Sequence, residues 1–282
     1  MEKIIAKARV LIEALPYMKK FWGSVFVIKY GGSAMTDRKF KEVFMEDIAL
    51  LKYTGVKVVI VHGGGDDISA LAEKLGKKPV FVDGHRVTDE GMLEIVEMVL
   101  VGKVNKDIVK SINAHGVKAV GISGKDANLI IAKKKLHKGR DIGAVGEVVR
   151  INPEILSVLD GRNFVPVIAP LGVDAWGNGY NINADSAAAE IAAALKADKL
   201  IYVTDTDGVK IKNKYVSSLN SAGIKRNIKA GQIKGGMLPK VNSAIKAVRA
   251  GVKKVHIING TIEHSLLLEI FTREGVGTEI IK

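Results

Sequence analysis

The sequence predicts an α/β protein with a mainly parallel sheet and helices on both of its faces. Three observations predict it. Short β-branched runs alternate with amphipathic stretches along the chain. Two of those runs lead directly into glycine clusters, at Gly31-Gly32 and at Gly63-Gly64-Gly65. And 47% of the 282 residues are hydrophobic while only 5% are aromatic, so Ala, Val, Ile and Leu must build the core.

The first 24 residues stand apart. Ile4, Ile5, Ala8, Leu11, Ile12 and Leu15 fall on one helical face, and Pro16 is expected to end or kink the pattern. Tyr17, Met18, Phe21 and Trp22 extend the apolar surface beyond it. A helix placed ahead of the first core strand either covers its own sheet or buries its stripe against another subunit. The first strand is expected over Val25 to Lys29, and a helix follows over Phe40 to Tyr53. Further strands are expected over Lys57 to Val61, Lys118 to Ile122, Val165 to Ala169, Lys199 to Val203 and Lys254 to Ile258. Helical patterns fill Glu90 to Ala114, Asp185 to Leu195 and Leu238 to Ala250. Leu129 to Ala132 and Gly146 to Ile151, around a Lys-rich turn, form a β-hairpin insertion in this reading. The expected organisation is an oligomerisation helix over 1–22, an N-lobe over 23–182 and a C-lobe over 183–282. One continuous sheet lies beneath both lobes.

Composition narrows the chemistry. There is no Cys, which excludes disulfides, thiolate metal sites and Cys nucleophiles. The start has no basic leader followed by an apolar run, and no apolar run approaches the roughly 20 residues of a membrane span. A cytoplasmic protein with no membrane partner is expected. The net charge is +13, and Val209 to Lys254 holds twelve Lys or Arg and no Asp or Glu. That stretch is either a solvated surface or the seat of a phosphorylated small molecule. A nucleic-acid partner is not expected, because no aromatic residues interleave with Arg. The six His have no metal-binding spacing, so no protein metal site is expected.

Parallel sheets bind ligands beyond the carboxyl ends of their strands. Both glycine clusters fall there, where backbone N–H groups can approach an anion. Neither is a Walker A loop or a dinucleotide Gly-x-Gly-x-x-Gly. Lys29 ends an apolar strand one residue before the first cluster, where it either meets an anion or snorkels. Lys240, after Gly235-Gly236-Met237-Leu238-Pro239, sits in a first helical turn against the dipole. It is either a mild local cost or paired with something negative. Asn181-Ile182-Asn183-Ala184-Asp185 is either an Asn-rich turn capping a helix at Asn183 or Asp185, or a substrate donor followed by a carboxylate orienting two ammoniums. Arg86, ahead of a helix expected to be capped by Thr88, either grips a carboxylate or phosphate or makes a surface ion pair. Asp205-Thr206-Asp207-Gly208 lacks the later ligands of a calcium loop and is better placed beside a nucleotide.

These motifs in this order resemble the amino acid kinase family. The stretches that carry the likeness are Ile28-Lys29-Tyr30-Gly31-Gly32, His62-Gly63-Gly64-Gly65, Arg86-Val87-Thr88-Asp89, Asn181 to Asp185, Thr204-Asp205-x-x-Gly208-Val209 and Gly235-Gly236-Met237-x-Pro239-Lys240. The resemblance implies a three-layer αβα sandwich and ATP-dependent phosphorylation of the γ-carboxylate of N-acetyl-L-glutamate, a step of arginine biosynthesis. It implies that Lys29 and Lys240 stabilise the transferring phosphoryl and that Asp185 orients them. Gly64, Gly65, Arg86 and Asn181 would hold the amino acid. Gly31, Gly32, Thr204, Asp205 and Gly236 would line the nucleotide site, with Mg2+ held mainly by ATP. The N-terminal helix and the tail Leu267 to Thr278 resemble an arginine-inhibited hexameric branch, a trimer of dimers joined by such helices. Tyr17, Lys20, His256 and Glu269 are the candidate residues for L-arginine.

Independently of the likeness, a carboxylate nucleophile has a pKa near 4.3 and needs no general base at neutral pH. The obstacle is repulsion between carboxylate and polyphosphate, which two Lys and glycine N–H groups relieve.

Overall fold

The computed structural model describes residues 2–35, 37–272 and 274–282, without the side chains of residues 2–4, 6, 7 and 33. Ile4 of the expected stripe therefore lies outside the described side chains. In chain order the elements are α1 (Glu2–Phe21), β1 (Val25–Tyr30), α2 (Arg38–Tyr53), β2 (Lys57–His62), α3 (Gly65–Lys74), β3 (Phe81–Val82), β4 (His85–Arg86), α4 (Glu90–Glu97), α5 (Asn105–Ala114) and β5 (Ala119–Ser123). They continue with β6 (Ile130–His137), β7 (Arg140–Ile151), α6 (Glu154–Gly161), β8 (Val165–Ala169), β9 (Leu171–Val173), β10 (Gly179–Ile182), α7 (Ala184–Ala194) and β11 (Lys199–Thr204). The last are β12 (Lys210–Ile211), β13 (Lys214–Tyr215), β14 (Ser218–Asn220), α8 (Ser221–Lys229), α9 (Met237–Arg249), β15 (Lys254–Asn259), α10 (Ser265–Phe271) and β16 (Thr278–Ile281).

Eight strands form one sheet in the order β14-β16-β15-β11-β1-β2-β8-β5. Its neighbours pair in parallel except β15 with β16. Side chains of a strand alternate between faces, and β1 shows the result. Phe26, Ile28 and Tyr30 join one core cluster with Ile48 and Ile108 of α2 and α5. Val27 joins the other, with Ala187 and Ala188 of α7 and Ile245 of α9. Both faces are covered, as the unbroken apolar runs require. The hairpin insertion is longer than expected: β6 and β7 close with β9 and β10 into a small four-stranded barrel.

Three local expectations are corrected. Pro16 does not end the first helix, which runs to Phe21. Proline has no N–H for the Ile12 carbonyl, but the last turns are held by tertiary contacts. Phe21 is buried against Phe26, and Tyr17 meets Phe271 edge-on at 6.5 Å. The stretch Glu90 to Ala114 is helical throughout but contains a π segment, Met98–Val104. The cap of α4 is Asp89, which accepts from the Met92 N–H, while Thr88 donates back to the Arg86 carbonyl.

Within one chain the α1 stripe does not cover the sheet. Ile5, Leu11, Ile12 and Leu15 are 45, 66, 68 and 42% exposed.

The other end of the chain is fastened by a buried acid. Asp47 of α2 accepts from His264 Nδ1 at 2.6 Å, ahead of α10. Burial pushes the Asp47 carboxyl up to about 6, against the His264 hydrogen bond. That same bond raises the His264 imidazole above its usual value. Both folded values lie above the unfolded ones. The Asp47 contribution is therefore lost as pH rises towards 6, and that of His264 as pH rises through its folded value above 6.5. Asp47→Asn is expected to shrink the fall in melting temperature between pH 6 and pH 8.5. Thermal melts of both proteins at the two pH values check this, and an unchanged slope would show that the pair carries no linkage.

Candidate active site

β1 and β2 end side by side, and the loops after them meet β11 and the start of α7. Lys29 is 8% exposed and Asp185 5%. An ammonium so deeply buried needs an anion, and Asp185 supplies one. Its Oδ1 lies 3.2 Å from Lys29 Nζ, and its Oδ2 accepts from Lys240 Nζ at 2.9 Å. Burial alone would raise the Asp185 carboxyl, but the two ammoniums outweigh it and hold it below the usual carboxylate range. Asp185 reaches this position because Asn183 caps α7, accepting from the Ser186 N–H and starting the helix one residue before Ala184. Lys240 arrives from the first turn of α9. The cluster thus joins residues 211 positions apart and carries a net positive charge.

Glycine is required beside it. A Cβ on Gly31 would stand 2.3 Å from Lys29 Nζ, which Asp185 already pins. Gly32 passes close to the Thr204 and Asp205 backbone, 3.4 Å from the Asp205 N for an added Cβ. The loops after β1 and β11 are therefore in contact at this point.

Two cavities are lined by chain neighbours of the cluster, Ala184 in one and Met237 in the other, though none of its three side chains lines either. The first, about 210 Å³, is lined by Gly63, Gly64, Gly65, Phe81, Arg86 and Asn181, among others, and ends at Ala184, next to Asp185. Arg86 Nη2 donates to the Gly65 carbonyl and the Ser69 hydroxyl, both at 2.8 Å, and its guanidinium lies 4.7 Å over the Phe81 ring. Its Nη1 is buried without a hydrogen-bond partner. A guanidinium that lines a cavity and still has an unpartnered N–H is suited to an anion. Burial lowers the Arg86 guanidinium from its ordinary value, which leaves it charged. Asn181 Nδ2 touches Thr88 Oγ1 at 3.3 Å. The structure therefore brings Gly64, Gly65, Arg86 and Asn181 together.

The second cavity, about 370 Å³, is lined by Thr206, Gly208, Lys210, Lys212, Tyr215, Gln232, Lys234 and Met237, among others. Met237 stands one turn before Lys240 in α9. None of the expected nucleotide residues Gly31, Gly32, Thr204, Asp205 and Gly236 lines this cavity; Asp205 and Gly236 adjoin Thr206 and Met237, which do. Four of the wall cations and amides, Lys210, Lys212, Gln232 and Lys234, escaped the sequence reading. Their only signal is membership of the acid-free stretch.

Tyr17, Lys20, His256 and Glu269 gather elsewhere. Thr204 ends β11 at the cluster, whereas Lys199 begins it, roughly 16 Å away at about 3.3 Å per residue. There Lys199 Nζ donates to His256 Nε2 at 2.8 Å, and His256 Nδ1 donates to Glu269 Oε1 at 2.6 Å. Glu269 Oε2 accepts from the Val276 and Gly277 N–H groups. Burial lowers Lys199 to about 8 and lowers His256. Burial would raise Glu269, but His256 and the two backbone donors hold it below its ordinary value. Phe21 of α1 lies 5.4 Å beneath both the Lys199 and the Lys20 ammonium. Lys199 escaped the sequence reading, although a Lys opening an apolar run carries the same signal as Lys29.

No helix among the described residues is long and apolar enough to cross a membrane. The model of the Amino acid kinase family matches residues 24–259. The chain is 52% identical to an acetylglutamate kinase of Methanocaldococcus jannaschii, over 100% of this chain and 98% of that one. It is 54% identical to an acetylglutamate kinase of Aquifex aeolicus, over 99% of each. Among solved structures it superposes on an N-acetylglutamate synthase from Neisseria gonorrhoeae complexed with coenzyme A and N-acetyl-glutamate, with TM-score 0.87 and 27% identity. That match covers 98% of this chain and 63% of the longer synthase. The same synthase complexed with coenzyme A and L-arginine matches with TM-score 0.83 and 26% identity, over 98% and 65% of the two chains. With a family match over most of its length and full-length relatives above half identity, the chain is a kinase and belongs to the amino acid kinase family.

Proposed function

We propose that this chain transfers the γ-phosphoryl group of ATP to the γ-carboxylate of N-acetyl-L-glutamate, forming an acyl phosphate for arginine biosynthesis. The observation that carries this reading is the Lys29–Asp185–Lys240 cluster, whose chain neighbours Ala184 and Met237 line a small cavity walled by Arg86 and a larger, cation-lined one. Arg86 and Asn181 hold the α-carboxylate, and the Gly64 and Gly65 N–H groups face the γ-carboxylate. The nucleotide occupies the second cavity, with Gly31, Gly32, Thr204, Asp205 and Gly236 along its phosphates. In these terms 23–182 is the amino-acid lobe and 183–282 the nucleotide lobe.

The transfer needs no base, since the acceptor is already ionised. Lys29 and Lys240 neutralise charge on the equatorial oxygens of the transferring group, and Asp185 sets their spacing. Asp185 Oδ2 is hydrogen-bonded to Lys240, its Oδ1 is within ion-pair range of Lys29 without a hydrogen bond, and no group of three or more metal-binding side chains comes together among the described residues. Magnesium enters as part of the MgATP substrate. ATP consumption measured with N-acetylglutamate, glutamate, aspartate, carbamate and UMP tests the acceptor. Turnover is expected with N-acetylglutamate alone, and equal turnover with free glutamate would displace the reading.

The same proposal extends to regulation. The exposed α1 stripe suits exchange with a second copy, giving dimers that build a hexamer. Arginine would bind where Tyr17, Lys20, His256, Glu269 and Lys199 converge, its guanidinium on Glu269. Support comes from the synthase of the same fold that was solved with L-arginine. Because Phe21 is a core residue, truncation must stop short of it. Deleting residues 1–16 is expected to leave an active, smaller oligomer that no longer responds to arginine. Light scattering and an arginine titration decide this; an unchanged hexamer or intact inhibition would refute the role of α1.

A further inference from the structure

His62 ends β2 immediately before the glycine loop and is wholly buried. Nothing in the chemistry above uses it. Its Nδ1 lies 2.7 Å from the Gly63 carbonyl, and its Nε2 lies 3.1 Å from Asn105 Nδ2. The orientation of Asn105 is fixed independently, because Nδ2 also donates to the Val167 carbonyl at 2.9 Å. An amide nitrogen only donates. The His62 proton therefore sits on Nδ1 and is given to the Gly63 carbonyl. Burial lowers the imidazole to about 4, so this neutral form persists at neutral pH.

The room for this contact is built in. A Cβ on Gly121 of β5 would stand 1.7 Å from Asn105 Oδ1, so only glycine admits the amide. Asn105 follows the π segment Met98–Val104. That segment presses Leu100 and Val104 against Gly64, 2.6 and 3.4 Å from an added Cβ. One irregular turn thus touches the loop directly and places the residue that sets the His62 tautomer.

The carbonyl that His62 holds belongs to the Gly63–Gly64 peptide. In a trans peptide C=O and N–H point in opposite directions. With its carbonyl drawn to His62, this peptide turns the Gly64 N–H the other way. Neither Gly64 nor Gly65 gives its N–H to an acceptor among the described residues, and both line the first cavity.

We propose that His62 and Asn105 are positioning residues, which together lock the Gly63–Gly64 peptide so that the Gly64 N–H is aimed at the carboxylate receiving the phosphoryl group. This rests on the reading of the first cavity as the acceptor site. The Nδ2 of an asparagine at position 62 overlies the Nδ1 of histidine, whereas a glutamine reproduces only Nε2. His62→Asn is expected to keep kcat within about threefold of wild type. His62→Gln is expected to lower kcat about tenfold or more with the KM for MgATP unchanged, since a misaimed donor fails mainly in the transition state. Asn105→Ala frees the tautomer and is expected to lower kcat about fivefold. Steady-state kinetics for both substrates and thermal melts on the four proteins provide the test. Equal kcat losses in the two His62 variants, or none in either, overturn the pair's role. If His62→Gln does not fold, an Asn105→Ala protein that folds and keeps wild-type kcat overturns it alone. A wild type without acetylglutamate-dependent turnover overturns the functional reading and this role with it.

Discussion

Replacing Lys29 or Lys240 by Ala is expected to lower kcat about a hundredfold, roughly 3 kcal/mol of lost transition-state stabilisation. Binding of N-acetylglutamate should change little, because negative charge gathers at the equatorial oxygens mainly in the transition state. The geometry makes the two substitutions comparable: each ammonium holds one oxygen of the same carboxylate, at 3.2 and 2.9 Å. Each variant also leaves Asp185 buried with one partner in place of two, so thermal melts must accompany the kinetics. A folded variant with near-normal kcat would make that lysine a structural counter-ion of Asp185 and nothing more.

Arg86→Lys is expected to raise the KM for N-acetylglutamate about tenfold, a change of roughly 1.4 kcal/mol, with the KM for ATP unmoved. Arg86 lines the cavity, uses Nη2 on the Gly65 carbonyl and Ser69, and leaves Nη1 buried without a partner. Only a forked cation can hold the wall and the substrate at once. A lysine retains the charge but must choose between them, and it loses the flat face over Phe81. Initial-rate measurements with each substrate varied in turn read this directly. An effect confined to ATP would place Arg86 on the nucleotide side.

Much of this architecture was legible in the chain. The strand cores were readable because β1, β2, β8 and β11 are apolar on both faces and end in glycine, proline or a charged turn. Lys29, Asp185 and Lys240 each stood out as a charge in an apolar or glycine-rich setting. Their meeting did not follow from spacing; it came from the likeness to a family and is now seen as a geometry. Other features depend on tertiary contacts that no local pattern carries. Pro16 remains inside a helix because Phe21 and Tyr17 anchor its end. The π segment keeps the apolar period of an ordinary helix, so nothing local announces Met98–Val104. Lys199 and the Asp47–His264 pair are ordinary charges until their partners, 57 and 217 positions away, are known.

The central claim is that a carboxylate receives the phosphoryl group at the Lys29–Asp185–Lys240 cluster. The most direct measurement is phosphorus NMR of the reaction of ATP with N-acetylglutamate, followed by trapping with hydroxylamine. The expected result is an acyl phosphate formed one-for-one with ADP and converted to the hydroxamate, with both forming about a hundredfold more slowly in Lys240→Ala. ADP accompanied by inorganic phosphate alone, with no hydroxamate, would contradict it.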